Sequence, residues 1–226
     1  MRESSLHYGL KQFYTQDGGI TEVWIDGYLI DVVKNKQLIE IQTGNFNAIK
    51  TKLENLINAY EVRVVFPIAR EKFLILRDSQ SAFISRRRSP KKGRIEDVFN
   101  QLVFLSHLAS HPNFSLEVLF TSEEEYRVKD GLGSWRRRGI SITDRRLLSI
   151  LGRIVLAQKA DFSYLVPSSL MHAFTNIELA QELDISKRLA GKMTYCLTNM
   201  GILERSDKRG KAFLFRRPDM SPDYEG

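Results

Sequence analysis

The chain has 226 residues, 42% hydrophobic and 27% charged, with a formal net charge of +7. That balance argues against a disordered or membrane-embedded chain, and no run approaches the ~18 apolar residues of a membrane-spanning helix. Excess Lys and Arg favour a polyanionic partner, because each neutralised phosphate releases condensed counterions. Cys196 is the single cysteine, so no intrachain disulfide forms, and the four histidines show no zinc spacing. The opening "MRESSLHYGL" has no apolar core followed by a small-residue cleavage site. No signal peptide is therefore expected, and the expected compartment is the reducing cytoplasm.

Leu6 to Tyr14 is predicted as a short helix, broken by Gly18-Gly19. Three strand-like runs follow, Thr21 to Ile25, Tyr28 to Val33 and Leu38 to Gln42, with Asp26-Gly27 and Asn35-Lys36 as turns. "NFNAIKTKLENLINAY" reads as an amphipathic helix with Phe46, Ile49, Leu53, Leu56 and Ile57 on one face. "VRVVFPIA" and "KFLILRD" read as two strands with a turn near Arg70-Glu71. Ser85 to Arg94 reads as an exposed loop, Ile95 to Leu108 as a helix and Phe114 to Phe120 as a strand. "VKDGLGSWRRRG" is a glycine-bearing charged loop, after which Thr143 is predicted to cap a helix to about Gln158.

The two turns set a register. Around Asp26-Gly27, Ile25 faces Tyr28 and Glu22 faces Asp31; around Asn35-Lys36, Lys34 faces Gln37 and Asp31 faces Glu40. Three carboxylates then form a row across neighbouring strands, with opposed side chains about 5 Å apart. Gln42, two residues past Glu40, falls on the same face. A divalent cation would relieve the repulsion, and Mg²⁺ prefers oxygen ligands beside substrate phosphates. The plainer alternative is a solvated polar strand face.

Asp31, eight intervening residues and then Glu40-Ile41-Gln42, with a helix straight after, resemble the PD-(D/E)XK nuclease superfamily. Its core of helix, three-stranded meander, helix and strand matches the order read here from Leu6 to about Ile68. The resemblance implies Asp31, Glu40 and the Ile41 carbonyl as ligands of Mg²⁺ or Mn²⁺, and Glu22 as an additional acid. Gln42 stands where the family usually has Lys, beside the attacking water. Lys50 or Lys52 in the following helix would be the relocated lysine.

Phe174 to Arg217 resembles a winged helix-turn-helix domain. Thr175 caps a first helix to Leu183, Asp184-Ile185 turns, Ser186 caps a second helix to about Met200, and a basic hairpin follows. Ile177, Leu179 and Ala180 are predicted to pack on Leu189, Met193, Leu197 and Met200. In such domains the second helix enters the major groove. That implies DNA contact by Lys187, Arg188, Lys192 and Tyr195, and by Lys208, Arg209 and Lys211 at the wing. Arg86, Arg87, Arg88, Lys91, Lys92 and Arg94 form one basic run, and Arg136, Arg137 and Arg138 beside Trp135 a second. Both are expected to grip phosphates, and Trp135 to stack on a base; solvated loops are the plain alternative.

The expected chain is α/β. A restriction-endonuclease-like mixed sheet flanked by helices (residues 1–140) precedes a linker helix region (141–173), a winged helix domain (174–217) and a tail (218–226). The expected function is metal-dependent DNA endonuclease, acting alone, as a homodimer or in a larger complex, with no membrane partner. The alternative is a non-catalytic DNA-binding regulator or interaction subunit on an inactive nuclease fold.

Overall fold

The computed structural model describes residues 4–218 apart from Asp17 and Ser81; the expected tail from residue 219 onward lies outside the described residues. The chain is mixed α/β, with a large mixed sheet and flanking helices. Its described residues divide into two compact units, one of 4–44, 62–95 and 117–154, the other of 45–61, 96–116 and 155–218.

In the first unit, helix α1 (Ser5–Thr15) starts at Ser4, whose side chain accepts from the His7 amide at 3.3 Å. Leu6, Leu10 and Tyr14 recur at helical spacing and are buried against Val32, Ile39, Ile41, Val65 and Leu119 of the sheet. Gly19 makes the tight exit from the helix, since a Cβ there would meet the Tyr14 carbonyl oxygen at 2.7 Å. Strands β1 (Ile20–Ile25), β2 (Tyr28–Lys34) and β3 (Gln37–Ile41) form an antiparallel meander. Its turns have positive φ at Asp26 and Gly27, and at Asn35 and Lys36, the signature of the hairpin turn that matches strand twist.

Strand β4 (Val62–Arg77) pairs parallel with β3 and antiparallel with β5 (Phe83–Arg88). Strands β6 (Phe114–Lys129) and β7 (Ile140–Leu156) complete a sheet of order β1-β2-β3-β4-β6-β7, with β5 on β4. Three expectations need correction here. No turn interrupts β4 at Arg70-Glu71: the Arg70 guanidinium lies 3.9 Å from the Phe120 ring centroid and Glu71 pairs with Arg88, so both charges are accommodated within a strand. Arg86, Arg87 and Arg88 belong to β5, not to a loop. Residues 143–158 are mostly strand, not helix. Thr143, Ile150, Ile154 and Val155 are β-branched, and pairing with β6 decides a pattern that suited either state.

The second unit begins with a 3₁₀ turn (Phe46–Ile49) leading into α2 (Lys50–Leu56). The helix predicted from Ile95 to Leu108 is shorter: a 3₁₀ turn (Ile95–Val98), α3 (Phe99–Leu102) and then turns. Helix α4 (Lys159–Ser163) is followed by α5 (Asn176–Glu182), α6 (Lys187–Asn199) and the hairpin β8 (Glu204–Arg209) with β9 (Ala212–Arg216). Thr175 and Ser186 cap α5 and α6 as predicted, and Phe174 bridges to Phe215. Leu179, Leu189, Met193, Leu197 and Met200 are buried, but Ile177 is exposed.

Candidate functional site

The β1–β2 ladder pairs Thr21 with Val32 and Val23 with Ile30, so Glu22 and Asp31 stand opposite one another between ladder pairs. Glu22 itself has φ 58, which lifts it out of regular strand geometry. The β2–β3 ladder ends at Val32 and Ile39. Beyond that point side chains take over the backbone groups: the Ile41 amide donates to Asp31 Oδ2 at 2.9 Å, and the Asp31 amide to Glu40 Oε1 at 3.4 Å. Thus the predicted juxtaposition of Glu22, Asp31 and Glu40 is present, but as an interruption of the sheet and not as a uniform row. Glu40 is buried at 2% exposure, whereas the Glu22 side chain remains 59% exposed.

Helix α1 supplies two residues that sequence reasoning missed. His7 Nε2 lies 3.2 Å from Asp31 Oδ2 and 3.0 Å from the Ile41 carbonyl oxygen. Lys11, only 7% exposed, places Nζ 3.1 Å from Glu22 Oε1 and 3.6 Å from Asp31 Oδ1. The signal was their spacing of four, which puts both on one helix side next to the Leu6–Leu10 stripe. Burial alone would raise the Asp31 pKa. The His7 hydrogen bond and charge, the Ile41 amide and the Lys11 ammonium outweigh burial and hold the carboxyl below its usual 3.8. Lys50, by contrast, is 3.8 Å from Glu54 one turn along α2, and Lys52 is on the same helix in the second unit. Lys11, a residue outside α2, is the lysine whose ammonium reaches both Glu22 and Asp31. Gln42 is half-buried and donates its backbone amide to the Val65 carbonyl at 2.8 Å.

The donor set of two carboxylates, one carbonyl and one imidazole is chemically suited to Mg²⁺ or Mn²⁺. Among the described residues, however, no group of three His, Cys, Asp or Glu side chains is already arranged around one point. Cationic and amide hydrogens hold the Asp31 oxygens instead. A further buried acid lies on the same sheet: Glu117 is fully buried, and Arg63 Nη1 reaches its Oε2 at 3.2 Å.

The expected nucleic-acid residues fall into engaged and outward-facing groups. Arg86 stacks over Phe73 at 4.0 Å and pairs with Glu124 at 3.3 Å, and Arg88 pairs with Glu71, while Arg87, Lys91 and Lys92 are exposed. Arg136, Arg137 and Arg138 are exposed on the turn between β6 and β7. In the second unit Lys187, Arg188 and Tyr195 are exposed on α6. Lys192 is not among them: its ammonium donates to Asn100 Oδ1 at 2.9 Å, because its position turns toward α3. Lys187, Arg209, Lys211, Ile177 and Phe213 line an open groove of about 400 Å³ between α5, the start of α6 and the hairpin. Arg209 also pairs with Glu178 at 2.6 Å, and Lys208 lies 5.0 Å from the Phe213 ring centroid.

A family model described as a domain of unknown function (DUF8091) matches residues 4–157. That span contains His7, Lys11, Glu22, Asp31 and Glu40 and ends just past β7, before α5, α6 and the hairpin. An uncharacterized protein of Treponema pallidum (strain Nichols) is 28% identical over 174 residues, covering 76% of this chain and 69% of that protein. No solved structure matches the chain. Among the described residues no helix is long and apolar enough to cross a membrane.

Proposed function

The chain belongs to the DUF8091 family, and from the geometry of its acidic cluster we propose that it is a metal-dependent DNA endonuclease. The observation that carries this reading is convergence at one point. Asp31 Oδ2 and the Ile41 carbonyl approach the same His7 nitrogen at 3.2 and 3.0 Å, beside the buried Glu40. The order helix, meander, helix, strand over α1 to β4 supports a restriction-endonuclease-like core. The helix, turn, helix and hairpin order from α5 to β9 supports a winged helix.

Asp31, Glu40 and the Ile41 carbonyl would hold the cation, and His7 would become a nitrogen ligand only after giving up the Nε2 proton it now shares with Asp31 and Ile41. When bound, Mg²⁺ or Mn²⁺ lowers the pKa of coordinated water and neutralises charge on the phosphoryl group. Everything else falls to the chain. Lys11 supplies the fixed positive charge that Gln42 lacks, and its burial keeps that charge weakly screened. The Gln42 side-chain amide orients water, and the outward-facing cations of α6 and the hairpin grip the DNA backbone.

One observation favours a second reading, a DNA-binding protein without catalysis: the Lys11 ammonium already compensates Glu22 and Asp31 in place of a metal ion. Incubating supercoiled, single-stranded and branched DNA with Mg²⁺ or Mn²⁺ separates the two. Cleavage by the wild type that Asp31→Ala abolishes supports the nuclease. No cleavage of any of these by either protein leaves only the binding role.

A further inference from the structure

Residues 130–139 connect β6 to β7, and nothing in the proposed chemistry uses them. They are held as a compact knot. Asp130 Oδ1 accepts from the Leu132 amide at 3.0 Å and from Ser141 Oγ at 2.9 Å. The Arg137 amide donates to the Ser134 carbonyl at 2.8 Å, and the Arg138 amide to the Trp135 carbonyl at 3.0 Å. Arg137 Nε donates to the Ile140 carbonyl at 3.2 Å. Gly133 passes so close to Ile140 that a Cβ would meet its carbonyl oxygen at 1.9 Å. Yet the two large apolar side chains of this ordered knot are turned outward, Leu132 at 86% and Trp135 at 82% exposure. Ordered backbone that exposes its own apolar residues gains nothing from them in the isolated chain.

The neighbouring charges indicate what covers them. Arg136, Arg137 and Arg138 follow Trp135 directly, and the Arg136 guanidinium lies 5.6 Å from the Trp135 ring centroid. An indole face beside guanidinium groups matches a nucleotide, which offers a π-face and a phosphate a few ångströms apart. Bases inside a continuous duplex are stacked on one another and offer no free face to a side chain. A lipid surface would call for a broad apolar face, and this tip offers two apolar side chains among three arginines.

We propose that Trp135, backed by Leu132 and Arg136 to Arg138, stacks on an unpaired base, so that the chain prefers DNA in which duplex borders a gap or branch. The substrate class rests on the DNA-cutting reading, but the stacking itself does not require cleavage. Binding is therefore measured with the full-length Asp31→Asn protein on two fluorescent DNAs of identical sequence. One is fully paired and the other has a gap of a few nucleotides.

The gapped DNA is expected to bind more tightly. Trp135→Ala should cost about tenfold on it, in the range of one base–aromatic stack, and leave the paired duplex within about twofold. Trp135→Phe should retain most of the preference, which a mere loss of folding would not allow. In a Trp24→Phe background the remaining indole is Trp135, and its emission should be quenched by gapped DNA only. Equal loss on both DNAs, no loss on either, or binding of anionic phosphatidylglycerol vesicles in place of gapped DNA would each overturn the proposal. A wild-type chain that prefers gapped DNA through Trp135 but never cuts would instead sink the nuclease reading and leave the wedge standing.

Discussion

Asp31 Oδ2 accepts a hydrogen bond from the Ile41 backbone amide at 2.9 Å, in the place where a ladder bond from β2 would otherwise fall. The aspartate is thus fixed by the next strand's backbone as well as by His7 and Lys11. Its folded pKa lies below the unfolded value of about 3.9, so its ionised form stabilises the fold. That contribution is complete above the unfolded pKa and disappears as pH falls through the lower folded pKa. The stability difference between wild type and Asp31→Asn should therefore be largest near neutral pH and close on acidification, as read by urea unfolding at several pH values. A difference that grows toward acid would contradict the assignment.

Lys11 makes a separable prediction. Lys11→Met removes the ammonium from between Glu22 and Asp31 while keeping most of the aliphatic stem. Cleavage should fall by about 100-fold or more, the scale of losing one electrostatic stabiliser in an active site. Mn²⁺ binding measured by calorimetry should persist or tighten, because a competing cation has gone. Lys50→Met should change cleavage little, since Lys50 is paired with Glu54 one turn along α2. If Lys52→Met is the crippled variant, the catalytic lysine has been misassigned.

Much of this site was legible in the sequence, and the remainder was not for physical reasons. Turn chemistry at Asp26-Gly27 and Asn35-Lys36 fixed the register, and register alone placed Glu22, Asp31 and Glu40 together. His7 and Lys11 were missed because their partners are far along the chain, and helix periodicity says which residues share a side but not what that side meets. The failure at β7 has a different cause. Its apolar spacing fits either period, and the choice falls to sheet pairing that no local pattern encodes. Lys192 shows the same limit: it lies on the predicted outer side of α6, but α3 packs there and Asn100 Oδ1 accepts from its ammonium.

Arg63 and Glu117 form an ion pair in which the acid is fully buried and the arginine side chain is 26% exposed. Removing one partner leaves a charge without compensation in a low-dielectric interior. Arg63→Ala should cost about 3–5 kcal/mol of unfolding free energy. The double variant Arg63→Met/Glu117→Leu should recover much of that loss, because an apolar pair replaces the charges without stranding one. Chemical denaturation of the two proteins checks this, and a double variant less stable than Arg63→Ala would refute it.

The α5 start carries a reciprocal cap. Thr175 Oγ1 accepts from the Glu178 amide at 3.3 Å, and Glu178 Oε2 accepts from the Thr175 amide at 2.7 Å. Thr175→Ala should cost about 1 kcal/mol. The Thr175 amide, with Arg209, holds the Glu178 carboxyl below its usual range. The cap should accordingly be intact above about pH 4–5 and weaken as pH falls. Thermal unfolding of Thr175→Ala against wild type at neutral pH reads the first effect, and Glu178→Ala against wild type at neutral and acid pH reads the second, with that difference shrinking in acid.

Under the proposed DNA-binding role, salt dependence separates cations that would meet phosphate from those that hold the fold. Each phosphate contact contributes about 0.9 to the slope of log affinity against log salt on duplex DNA. Lys187 and Lys211 are exposed around the groove of the second unit. Lys187→Ala and Lys211→Ala should each flatten the slope by about one contact and leave unfolding free energy nearly unchanged. Lys192→Ala should do the reverse, because its ammonium is spent on Asn100. It should leave the slope intact and lower stability by about 0.5–1.5 kcal/mol, the net worth of an internal hydrogen bond. Arg209 is an intermediate case, since engaging a phosphate means releasing Glu178, and Glu178→Gln should therefore strengthen binding without altering the number of phosphate contacts. Titrations of one duplex at several salt concentrations decide among these. A slope that falls with Lys192→Ala and not with Lys187→Ala would show that α6 meets DNA through its other side.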